Sequence, residues 1–152
     1  MTRPWHKYAA LVRMRQRQER LKAQALAEVR RQIQFAEQQR DALTGEQRRI
    51  LDEAGQATRL SIDAYKAQSF IHYERHLARL AVDKDAEIHA LRKEEDRRRG
   101  TLEDAMKQRK VVEQLSERVR LAFLEHVRKE EQKQFDEIAS VRSALERRPA
   151  RP

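Results

Sequence analysis

The chain has 152 residues, of which 39% are charged and 5% aromatic, with only three glycines and three prolines. That composition cannot enclose a globular core, and the absence of cysteine excludes a disulfide framework and thiol chemistry. The net charge of +9 calls for an acidic partner or a solvated basic face.

Pro4 suits a helix start, and an apolar seam follows it as Leu11, Met14, Leu21, Ala25, Val29, Ile33, Ala36, Leu43, Ile50 and Ala54. The expectation is a first helix over about 4–54. Around Ala25 to Ile33 the step becomes four, which relaxes a supercoil locally, and Gln18, Arg40 and Gln47 place polar groups on the seam. A break is expected over about 55–62, where Gly55 can end one helix in the left-handed conformation and Thr58 or Ser61 can cap the next. Gly45 and Gly100 fall inside seams and read as soft spots or close-packing points, Gly45 being the better candidate for a kink.

From Tyr65 to Leu145 an apolar residue recurs every three or four positions without proline, through Phe70, Tyr73, Leu77, Leu80, Ile88, Leu91, Leu102, Val112, Leu115, Val119, Phe123, Val127, Phe135 and Ile138. This predicts a second helix over about 63–146, with a frayed tail after it and residues 149–152 disordered. The fold class is all-α: two long helices forming an antiparallel coiled-coil hairpin, the second longer than the first, as one elongated domain over 1–148. Pairing from the turn exhausts the first helix near residue 115 and leaves roughly 40 Å of the second beyond it. That overhang, with Phe123, Val127, Phe135 and Ile138, calls for another protein, a later turn or self-association.

Charge concentrates at the two termini. Residues 1–31 hold nine Arg or Lys against Glu19 and Glu28, and residues 140–152 hold four against Glu146. In a hairpin both ends meet, giving one basic pole that can be steered to an acidic protein cavity. Nucleic acid competes for that role, but no binding motif is present and few aromatics could stack on bases. No partner nucleic acid is expected. No segment has the roughly 20 apolar residues of a membrane span, and the N-terminus lacks the features of a cleaved signal, so a cytoplasmic protein is expected.

Catalysis has no foothold, because there is no phosphate loop, no nucleophile in a turn and no pocket between two helices; no enzyme and no cofactor are expected. His72 and His76 stand four apart, but His72-Tyr-Glu-Arg-His76 is not the zinc-protease order and a third ligand is missing. No metal is expected there.

The stretch Glu130-Glu-Gln-Lys-Gln-Phe-Asp-Glu-Ile-Ala139, preceded by Arg109-Lys110-Val-Val-Glu-Gln-Leu115, resembles the C-terminal signature of the FliJ family of flagellar export proteins. The start Leu11-Val-Arg-x-Arg-Gln-x-x-Glu19 and the segment Phe70-Ile-His-Tyr73 with Leu77 and Leu80 are similar to that family as well. The resemblance implies a non-catalytic stalk, like the two-helix stalk of a rotary ATPase. Such a stalk sits in the hexameric export ATPase ring, touches the export gate membrane protein and binds late-substrate chaperones. It would lie at the cytoplasmic face of the inner membrane through these partners only.

By resemblance, the gate and chaperone patch falls on Gln39, Leu43, Ile50, Phe70, Tyr73, Leu77 and Leu80, brought together if paired residue numbers sum to about 116. Glu46 and His76 depart from the family pattern there. The surface for the ATPase ring is expected on Arg13, Arg15, Arg17 and Arg20, with Phe123, Val127, Gln132, Phe135, Asp136 and Ile138. The stalk of a virulence-type secretion system and a generic coiled-coil scaffold are the alternatives.

Overall fold

A computed structural model describes residues 6–59 and 64–146, all of them helical. Helix α1 spans His6–Arg59 over 54 residues, and α2 spans Ala64–Glu146 over 83. The two pack against each other, and no strand occurs among the described residues. The expected helix start at Pro4, the cap at Ser61 and the tail after 146 lie outside the described residues.

By their contacts the residues form two units, one of 19–105 and one of 1–18 with 106–152. In the 19–105 unit, Leu26, Val29, Ile33, Ala36, Ile50 and Ala57 of α1 are buried together with Leu77, Ala81 and Ile88 of α2. These positions, with half-buried Arg40, Leu43, Gln47 and Ala54 between them, step alternately by three and four, which is the spacing of a coiled-coil seam. Cross-helix bonds run antiparallel: Arg30 Nε donates to Glu95 Oε1 at 2.7 Å, Arg92 Nη2 to Glu37 Oε1 at 2.8 Å, and Gln47 Nε2 to Glu74 Oε1 at 2.6 Å. Paired residue numbers sum to about 124 rather than 116.

The difference has a local cause. Gly55 and Thr58 lie inside α1, which runs on to Arg59. Thr58 Oγ1 donates to the Ala54 carbonyl one turn back at 2.8 Å, so its hydroxyl satisfies its own helix instead of capping the next. Burial of Ala57 at the seam offsets the roughly 1 kcal/mol that a helical glycine costs. The helix therefore ends later and the register shifts. Gly45 and Gly100 also sit in unbroken helix, and an added methyl would meet nothing within 4 Å at either, so neither is a close-packing point or a break.

The first seam also departs from the expected positions. Leu26 rather than Ala25 is the buried residue, so the seam steps from 26 to 29 to 33 and keeps its alternation. Followed toward the N-terminus, the same register passes through Glu19, Arg15, Val12 and Tyr8. Met14 and Leu21, expected on the seam, are 46% and 57% exposed.

Candidate partner-binding surfaces

On α2 the seam takes Phe70, Glu74, Leu77, Ala81, Lys84 and Ile88, which moves Tyr73 and Leu80 to its flank. There they line an open groove of about 540 Å3 with Gln39, Ala42, Leu43, Glu46, Leu77, Asp83 and Lys84. Five of the seven residues expected in the gate and chaperone patch thus meet in one groove. Leu77, 5% exposed, forms its floor, while Tyr73 and Leu80 stand open to solvent. Ile50 is buried and Phe70 half-buried, and neither lines the groove.

Of the rim charges, Glu46 stands within the expected patch, whereas Asp83 and Lys84 lie outside any apolar or family signal in the sequence. Glu46 accepts a hydrogen bond from Arg49 Nη2 at 2.7 Å, and Lys84 Nζ donates to Glu87 at 2.6 Å, so two of the rim charges are held by their own helices. Below the groove, Arg40 bonds Asp41 at 2.7 Å and Asp85 at 3.4 Å. Its guanidinium is held above the usual arginine range, first by the hydrogen bond it donates to Asp41 and then by that residue's charge.

The residues expected to face an ATPase ring divide between the units. Arg20 belongs to the 19–105 unit and the others to the second. In that second unit α1 lies along α2, with Ala9, Val12 and Arg13 beside Glu113, Ser116 and Glu117 around a shallow cleft of about 340 Å3. Arg13 and Arg17 are exposed. Arg15 is turned inward, because alternate residues of a helix point about 200° apart. Its Nη1 donates to Gln108 Oε1 at 2.7 Å and to Gln18 Oε1 at 3.1 Å, while its buried Nε has no hydrogen-bond partner.

Opposite numbers here give out near residue 119, so some 40 Å of α2 has no described α1 residue facing it. Phe123 and Val127 are half-buried, and Gln132, Phe135, Asp136 and Ile138 are exposed. Ion pairs one turn apart line this stretch, with Glu117 bound by Arg120, Glu125 by Lys129 and Glu130 by Lys133 at 2.6 to 2.9 Å. Hydrogen bonds from these cations hold all three carboxyls below the usual glutamate range. His72 and His76 are exposed, and no group of three metal-ligating side chains occurs among the described residues.

The family assignment rests on the whole helical pair, since the sequence model of the flagellar FliJ protein matches residues 6–148. The chain belongs to the FliJ family. No curated protein and no solved structure matches it. FliJ membership makes it a component of the flagellar export apparatus, from a family of non-enzymatic structural and adaptor proteins. None of the described helices is long and apolar enough to cross a membrane.

Proposed function

We propose that the chain is a stalk and adaptor that couples the export ATPase ring to the export gate and binds late-substrate chaperones. It would act in the cytoplasm, reaching the membrane face through these partners. The observation that carries this reading is the convergence of Gln39, Leu43, Tyr73, Leu77 and Leu80 on one groove. An open apolar groove with an aromatic on its flank suits a partner side chain or helix. The FliJ match favours the flagellar system over a virulence-type one.

Tyr73→Ala with Leu80→Ala tests it, because both side chains are exposed and the seam survives their loss. The expected result is at least tenfold weaker binding to the cytoplasmic domain of the export gate with an unchanged circular dichroism spectrum. Unchanged gate binding would remove the groove from the mechanism. For the ring, Phe123→Ala with Val127→Ala is expected to lower ATPase stimulation, and full stimulation would remove that surface.

A further inference from the structure

We propose that the C-terminal part of α2 pairs with the same segment of a second copy of this chain, antiparallel, about a two-fold axis between Lys129 and Glu130. The exposed positions 121, 124, 128, 131, 135 and 138 step by three and four, a second seam distinct from the one facing α1. Leu121 and Leu124 stand at one end of it and Phe135 and Ile138 at the other, and all four are open to solvent, Phe135 at 70% and Ile138 at 64%. Arg128 and Glu131 occupy the middle.

The order apolar, apolar, cation, anion, apolar, apolar is what a two-fold pairing requires. Antiparallel alignment sets Leu121 against Ile138 of the second copy, Leu124 against its Phe135, and Arg128 against its Glu131, and symmetry repeats each layer. Parallel alignment would set arginine on arginine and glutamate on glutamate. Charge around the seam agrees: residues 118–129 carry four cations against Glu125, whereas residues 130–142 carry four anions against Lys133 and Arg142. Each half therefore meets its opposite in the second copy.

Neither the Arg128 nor the Glu131 side chain makes an ion pair or hydrogen bond among the described residues, so both are available for the central layer. The next layer outward joins Glu117 to Arg142 of the second copy. It contributes less, because these two already bond Arg120 and Glu146 in their own helix. The pairing covers Phe135 and Ile138, so a chain engaged with its copy cannot offer them to an ATPase ring. The self-pairing stands on exposure and charge order alone and is tested without the ring.

Sedimentation velocity of the full chain from about 1 to about 200 µM reads the association, a range suited to so short a seam. The expected result is a concentration-dependent dimer. Arg128→Glu and Glu131→Arg each place like charges in both central layers and are expected to weaken it at least tenfold. The double variant restores opposite charges and is expected to restore the dimer, with all four proteins equally helical by circular dichroism. A wild-type chain that stays monomeric throughout, single variants that dimerise as well as wild type, or a double variant that remains monomeric would each overturn the pairing.

Discussion

Arg15 shows how one position on a helix can decide what a side chain does. Arg13 and Arg17 project into solvent, while Arg15, between them, leans against α2 and bonds Gln108. A basic run in sequence is therefore two faces, one able to meet a partner and one spent on packing. The glycines make the complementary point. Gly100 is helical, with open space where a side chain would stand, so it carries the entropy cost of glycine without a packing reason. Gly100→Ala is expected to stabilise the chain by about 1 kcal/mol, read as a higher midpoint in urea with an unchanged slope.

The two helices were legible because a period of three and four runs on for more than fifty residues, and their direction because one short break near Gly55 folds the second back on the first. The register was not legible, because charged residues occupy seam positions and apolar ones flank them. Glu74 and Lys84 lie at the interface while Tyr73 and Leu80 lie beside it, so a reading that follows apolar residues lands one position off. That offset is also what opens the groove. The five groove residues came from family resemblance, and they still meet after the change of register because the groove spans two or more turns of each helix, 39–46 and 73–84. The seam itself can be tested. Leu26→Ala removes a side chain only 6% exposed and is expected to cost about 2–5 kcal/mol, whereas Leu21→Ala, on the outer face, is expected to change stability by less than about 0.5 kcal/mol. Equal effects in thermal melts would restore the seam through Leu21.

Among the described residues few side chains are fully buried and ion pairs are many, so stability should follow the charge state more closely than in a chain with a large core. Glu117, Glu125 and Glu130 have their carboxyls lowered by Arg120, Lys129 and Lys133, partners that the unfolded chain does not hold in place. A carboxyl lowered in the folded state binds protons more readily once unfolded. Its contribution is therefore present above the ordinary glutamate value of about 4.3 and fades as pH falls through that value and below it. Loss of these three charges adds to a net charge already at +9, so repulsion among the cations grows as the pairs are lost. Helicity and thermal midpoint are expected to hold from neutral pH to about 5 and then to drop together. Moderate salt should recover part of the loss by screening the repulsion between cations, without restoring the protonated pairs. A melting midpoint that stays level to about pH 3 would mean that the apolar seam alone carries the fold.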